Sequence, residues 1–386
     1  MIHAAESLVA SILRGDRALF IGVEDPIAED AVLEAAADHD VHGLLRHVLV
    51  ERGMWAAAPS RLRAVLDART RDESVREMIR SRELSRVLSG LRHGGVDPVV
   101  IKGAALAHTH YPAPHLRPRY DTDLLVRKDD FRRACRTLDD LGFQRVNSVS
   151  REAVRTQGTF ERRLEGGVTE YIDLHWAISN RPLFAAMISF DELREDRIRL
   201  RLADSDHGSH STPAREVDAF APGAVHALLL ACIHQIAHHN GWGKLIWLFD
   251  MKLLANRLSD EERERFVDLA ARKNISRLCR EVLVRAAIVG CSADVPRWFN
   301  HVATKAEPSA TYVGGVGTRW RSLLLDLQAV TGLGAKVGLL AGHAFPDAKY
   351  MRRAYGTSGM LGLSGAYIRR LGLGVLHLTR PVTRQI

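Results

Sequence analysis

An α+β fold is predicted, with a small mixed β-sheet carrying helices on one face and helical regions on both flanks. Three observations predict it. Apolar residues recur at three- and four-residue spacing through residues 1–95, as in Leu8, Ile12 and Leu13 and again in Leu44, Leu45, Val48 and Leu49. Short apolar runs of strand character follow at 98–101, 121–126 and 168–176. Helical periodicity then returns from Pro222 onward. With 386 residues, 46% hydrophobic and 26% charged, the chain has material for two domains or one elaborated domain, and wholesale disorder is excluded.

The elements follow in order. Residues 1–95 form a helical N-terminal region, whose last helix, at 72–92, is rich in Arg and Glu and is closed by His93-Gly94-Gly95. Residues 96–200 form the sheet-bearing core. Pro98 to Ile101 reads as a strand and Gly103 to His110 as a short helix after a tight turn. A loop with Pro112, Pro114 and Pro118 leads to a second strand, Asp121 to Val126. Asp129 or Asp130 caps a helix from Phe131 to Leu141 that Gly142 closes, and Phe143 to Val149 reads as a third strand. Gly166-Gly167 turns the chain into the strand Val168 to Trp176. Residues 201–216 read as an exposed loop. A helical domain at 220–300 follows, with helices Val225–His239, Trp242–Leu258 and a pattern through Asp260–Gly290. The region 301–386 is helical and basic, with an amphipathic stretch at 319–342 and no acid after Asp347.

A formal charge of +8 favours anionic partners, but the arginines are scattered and no aromatic-spaced basic patch marks a nucleic-acid binder. Cys135, Cys232, Cys279 and Cys291 include no C-x-x-C pair and read as reduced, largely buried residues. No run of 18 apolar residues exists, since Ala224 to Ala237 is broken by His226, His234 and Gln235. The N-terminus lacks the features of a signal peptide, so a cytoplasmic location is expected. The basic tail, with Arg352, Arg353, Arg369, Arg370, Arg380 and Arg384, either presents a solvated face or touches a membrane surface.

Chemistry concentrates in the core. In a strand, Asp121 and Asp123 share one face, at the mouth of the apolar run Leu124-Leu125-Val126. Asp173 lies in another apolar strand. Three carboxylates on neighbouring strands repel one another unless cations sit among them, and hard oxygen ligands suit magnesium together with substrate phosphates. Lys102-Gly103 after the first strand offers a phosphate turn. His175, two residues past Asp173, faces the same side and either contacts substrate, orients Asp173 or is a hydrogen-bonded core histidine. His234 and His238, four apart on a helix, have zinc-compatible spacing but no evident third ligand, so pocket lining or packing against Trp242 and Trp247 is preferred.

These residues resemble the polymerase-β-like nucleotidyltransferase superfamily, and within it the family of uncharacterised bacterial nucleotidyltransferases. The resemblance is carried by Ile101-Lys102-Gly103, Tyr111, Arg119, Asp121-Thr122-Asp123-Leu124-Leu125-Val126, Gly142-Phe143 and Asp173-Leu174-His175-Trp176. It extends through His234, His238, Gly241-Trp242, Trp247-Leu248 and Asp250 to His343-Ala344-Phe345-Pro346, covering about 20–370.

The resemblance implies a magnesium-dependent transfer of NMP from an NTP to a hydroxyl or phosphate acceptor on a small molecule, a sugar or a peptide or protein side chain. Asp121, Asp123 and Asp173 would hold two magnesium ions, Asp173 also favouring deprotonation of the attacking hydroxyl. Lys102, Gly103, Ala104 and Arg119 would bind the nucleotide, and His175, His234, His238 and Trp242 the acceptor side. One departure stands out: the superfamily places Gly-Ser or Gly-Gly at the phosphate turn, and here Gly103-Ala104 lacks the hydroxyl. Arg119 either grips the triphosphate or pairs with one of the aspartates. The alternative reading is a catalytically degenerate nucleotide-binding or protein-interaction module; a phosphohydrolase using the same acids and a nucleic-acid binder rank below both.

Overall fold

A computed structural model describes residues 2–17, 25–146, 156–203, 216–239, 243–300, 302, 307–312, 319–345, 348–357 and 359–379. The α+β class is borne out. Seven strands form one mixed sheet in the order β3-β4-β5-β2-β1-β7-β6. They are β1 (Val99–Ile101), β2 (Thr122–Leu125), β3 (Gln144–Arg145), β4 (Gln157–Arg163), β5 (Thr169–His175), β6 (Arg197–Ala203) and β7 (Glu216–Pro222). Three of the four strands read from the core sequence, β1, β2 and β5, are central neighbours. β1 runs antiparallel to β2, while β2 and β5 are parallel.

The N-terminal region consists of helices α1 (Ile2–Arg14), α2 (Pro26–Asp38), α3 (His42–Glu51) and α4 (Ser60–His93). Helix α4 begins twelve residues before the expected start at 72, and at 34 residues it is about 50 Å long. Its buried face changes character along its length. Leu62 and Leu66 pack with the other N-terminal helices, Leu84, Val87, Leu88 and Leu91 pack under the sheet, and between them the buried positions are Thr70, Glu77, Arg80 and Glu83. The apolar period is lost over that polar middle, yet no Gly or Pro interrupts the helix until Gly90.

Alternation across the strands creates two faces. Val100, Leu124, Ile172 and Leu174 point to a core shared with α4, α5 (Lys102–Thr109) and α6 (Phe131–Asp140). Val99, Ile101 and Leu125 point the other way, into a second core. That core is shared with α9 (Ala224–His239) and α10 (Leu245–Ala255), which follow the short α7 (Pro182–Ala185) and α8 (Phe190–Glu195). Helices therefore approach both faces, not one. Asp123 and Asp173 lie on the second face.

Several expectations are corrected in detail. β4, β6 and β7 were not anticipated: the stretch read as an exposed loop from 201 to 216 is bounded by a hairpin, with β6 antiparallel to β7 and β7 parallel to β1 through Val99 and Phe220. The sheet thus extends past residue 200. The third strand covers only Gln144–Arg145 of the expected 143–149, and 147–155 lie outside the described residues. Asp130 does not cap α6 with its side chain, because it closes a 3-10 turn, Lys128–Asp130, that runs straight into the helix. The amphipathic stretch at 319–342 is two helices, Arg319–Ala329 and Leu333–Ala344, separated at Gly332, whose φ is +88°. Cys232, Cys279 and Cys291 are buried and Cys135 half-buried, all four as free thiols. Among the described residues no helix is long and apolar enough to cross a membrane.

The junction of β7 and α9 is tight. Gly223 N–H donates to the Asp196 carbonyl at 2.7 Å, and a Cβ there would lie 2.5 Å from the same oxygen. Gly223→Ala is expected to cost about 1–3 kcal/mol, read as a lower unfolding midpoint; an unchanged midpoint would show that the junction yields freely.

Candidate active site

Register places the acids. β2 and β5 pair in parallel with Asp123 directly opposite Asp173, and Ile101, the residue before Lys102, stands opposite Asp123 on the other side. Directly opposite residues share a face, so both carboxylates project into one cleft of about 380 Å³. Asp121, just before β2, lines the same cleft, as do Lys102, Gly103, Gln157 and His234.

Each carboxylate has its own environment. Lys102 Nζ and His175 Nε2 each lie 2.7 Å from Asp123 Oδ1. Burial alone would raise the pKa of Asp123, but Lys102 and His175 outweigh it and hold the carboxyl well below the usual range. Lys102 shows the complement: burial opposes its charge, and Asp123 first, then Asp121 and Asp173, raise its pKa nonetheless. Its backbone has φ +56°, a left-handed conformation unusual for lysine, which lets α5 start immediately after β1. Asp173 is held by neutral donors from β4: Thr159 Oγ1 donates to Oδ1 at 2.6 Å and Gln157 Nε2 to Oδ2 at 3.3 Å.

Asp121 opens to solvent at the cleft mouth, yet protein atoms crowd its carboxyl. That crowding first, then the charges of Asp123 and Asp173, push its pKa up to about 7 against the pull of Lys102 and Arg117. A third carboxylate that resists ionising marks an excess of negative charge, which a divalent cation would neutralise. Ligand atoms of Asp123, Asp173 and His175 lie within 4.8 Å of one another, so this group could hold a metal ion. The oxygen-rich donor set fits a hard divalent ion, with His175 as a nitrogen donor that the sequence reading did not count as a ligand.

The remaining expected site residues fall variously. Ala104 turns its methyl into the core beneath the sheet with Val100 and Leu124, away from the cleft wall. The missing hydroxyl at that position therefore leaves the cleft lining unchanged. Arg119 pairs with neither aspartate: Nη1 donates to Glu77 of α4 and Nε to Thr122 Oγ1 at 3.4 Å. The residue lines the cleft from a buried position. Glu77, although buried, is drawn down to a pKa of about 2 by His108 and Arg119. His175 orients Asp123 rather than Asp173. His234 lines the cleft and meets Trp247 edge-on, with ring centroids 6.3 Å apart. The side chain of His238 and the whole of Trp242 lie outside the described residues. Trp176 packs, edge against Phe131 at 4.4 Å.

Sequence reasoning missed a buried clamp behind the cleft. Asp250 of α10 accepts from Tyr111 OH at 2.7 Å and from Arg117 through Nε and Nη2, both at 2.8 Å. Arg117 Nη1 also donates to the Pro118 carbonyl at 2.8 Å. The clamp ties α10 to the segment that leads into β2. Tyr111 and Asp250 were both noticed as part of the family pattern, but their separation of 139 positions hid their contact.

A family model described as an uncharacterised nucleotidyltransferase matches residues 25–289. That span includes every strand of the described residues, the helices from α2 through the one at Ser276–Arg285, and the whole cleft. No curated protein matches the chain.

Proposed function

The chain belongs to the uncharacterised nucleotidyltransferase family, and on that premise we propose that it moves NMP from an NTP to a hydroxyl or phosphate acceptor with magnesium as the metal. The acceptor would be a small molecule, a sugar or a peptide or protein side chain. The observation that carries the reading is the in-register pair Asp123–Asp173 on adjacent parallel strands, with Asp121 at the same cleft. Acids so placed on rigid central strands keep their separation when a highly charged substrate arrives.

Asp121, Asp123 and Asp173 would hold the magnesium ions, with His175 beside them. When bound, the metal orients the triphosphate and offsets the charge that builds on its α-phosphate. The chain's own groups do the rest. Lys102 and the first turn of α5 line the cleft where a triphosphate would lie, the lysine as a point charge and the turn through its free N–H groups. Asp173, held open by Thr159 and Gln157, would accept the proton of the attacking hydroxyl. The acceptor oxygen bonds to the α-phosphorus, the bond from that phosphorus to the bridging oxygen breaks, and pyrophosphate leaves with the bonding pair.

The test is thermal stabilisation by each of the four NTPs with and without magnesium, followed by assay of pyrophosphate release. A magnesium-dependent rise in midpoint for at least one NTP is expected. No rise for any NTP would overturn the reading, and orthophosphate in place of pyrophosphate would make the protein a phosphohydrolase. Metal affinity is also expected to depend on pH. Asp121 keeps a proton up to about pH 7, so magnesium must displace that proton below neutrality. Affinity should therefore weaken by up to about tenfold for each pH unit below 7. In the metal-free protein the folded state retains that proton where the unfolded chain, with a carboxyl pKa near 4, has lost it; stability should decline as pH rises from about 4 to 7. A pH-independent magnesium titration would remove Asp121 from the metal site.

A further inference from the structure

A second cavity, of about 330 Å³, shares with the acidic cleft the wall made by Asp40, Pro118, Arg119 and Tyr120. Its other wall is helix α4, which presents Arg69, Glu73, Arg76 and Arg80, with His42 of α3 beside them. Spacings of four, three and four put these α4 residues on one helical face. Four arginines thus line one small cavity.

Their charge is only partly spent. Arg69 makes no ion pair among the described residues. Arg76 and Arg80 share Glu73 at 3.5 and 3.4 Å. Asp40 is already held by Lys244 Nζ at 2.6 Å and by Tyr120 OH at 2.9 Å. Glu77 and Glu170, which do not line the cavity, anchor Arg119 and Arg80 from behind; Arg80 Nε lies 3.5 Å from Glu170 Oε2. Arg119 Nη2 is fully buried and has no hydrogen-bond partner, on a residue only 4% exposed. A buried, charged donor left unpaired is costly and calls for a partner from outside the protein, a water or an anion. Arg119 lines both cavities, so a group completing it sits beside the transfer site.

We propose that this second cavity seats a phosphate-class anionic group carried by the acceptor, held by Arg69, Arg76, Arg80 and Arg119 beside the acidic cleft. The proposal rests on the reading of that cleft as the NTP site. A planar guanidinium cluster fixed by buried carboxylates is suited to a tetrahedral oxyanion. The cavity exceeds the volume of a bare phosphate, leaving space for part of the molecule that bears it.

Inorganic phosphate is the probe, measured by thermal stabilisation of the full chain alone and with saturating magnesium-NTP. Wild type and Asp173→Asn are both expected to bind phosphate, and the stabilisation is expected to add to that of the nucleotide. The double variant Arg69→Ser/Arg76→Ser removes two solvent-reaching side chains from α4. It should keep magnesium-NTP binding and weaken phosphate about tenfold or more. Four outcomes overturn the proposal: no phosphate binding by wild type, equal phosphate affinity in the double variant, competition between phosphate and magnesium-NTP, or a shift of about tenfold in NTP affinity caused by phosphate, which would mark a free-phosphate effector. Phosphate binding without any NTP binding would overturn the reading of the cleft, and with it the acceptor role, while leaving the anion site in place.

Discussion

Asp173→Asn is expected to reduce pyrophosphate release by about 10²–10³-fold or more while leaving the protein folded. Its partners are the neutral donors Thr159 and Gln157, and an amide oxygen can still accept from one of them. Asp123→Asn should lose activity to a similar degree but also lose stability, because Lys102 and His175 both rest on the same Asp123 oxygen. Removing the negative member of that part-buried pair strands Lys102, at a cost of up to about 3 kcal/mol. Asp121→Asn should behave in a third way. Its carboxyl is already disfavoured as an anion, so the amide should raise metal-free stability at neutral and alkaline pH while still abolishing transfer. Initial rates and unfolding midpoints on the three variants separate these outcomes. Wild-type rates in Asp123→Asn and Asp173→Asn would sink the catalytic assignment. Equal midpoints in all three would contradict the electrostatic account.

The largest stability effect is expected at Asp250→Ala. Removing this buried carboxylate leaves the Arg117 guanidinium and the Tyr111 hydroxyl buried without their acceptor, at a cost of about 3–5 kcal/mol. Burial first, and then the same carboxylate, raise the pKa of Tyr111, while for Arg117 the carboxylate raises the pKa against the opposing effect of burial. Replacing both with apolar residues, as in Arg117→Met/Asp250→Leu, should recover much of the loss. Denaturant unfolding of the single and double variants is the measurement. A single variant as stable as wild type would show that water replaces the lost partner.

Much of the candidate site was legible because it obeys strand rules. Asp121-x-Asp123 before Leu124-Leu125-Val126, and Asp173 within Ile172-Asp173-Leu174, both alternate an acid on one face with apolar residues on the other. β4 was not legible: Gln157 to Arg163 offers one fully buried aromatic, Phe160, and its polar partners face the cleft, where they serve Asp173 instead of a core. β6 carried a clear signal that went unread. Arg197-Ile198-Arg199-Leu200-Arg201-Leu202 is a strict two-residue alternation, obscured by the polar stretch that follows it. The partner of Arg119 was out of reach for another reason. Glu77 looks like one more exposed acid on a charged helix, and only tertiary packing reveals that α4 buries a polar segment between two apolar ones.

The parallel pairing of β7 with β1 has a consequence for the order in which the chain assembles. Both strands that carry the cleft aspartates have been synthesised by residue 175, but Val99 gains Phe220 as its outer neighbour only after β6 and β7 emerge. The nascent sheet therefore waits with an open central edge, and the clamp residue Asp250 arrives later still. Sheets that depend on such distant pairings close slowly and expose sticky edges in the interval. A fragment ending at residue 200 would hold that half-built edge permanently, and aggregation, not merely lost activity, is its natural fate.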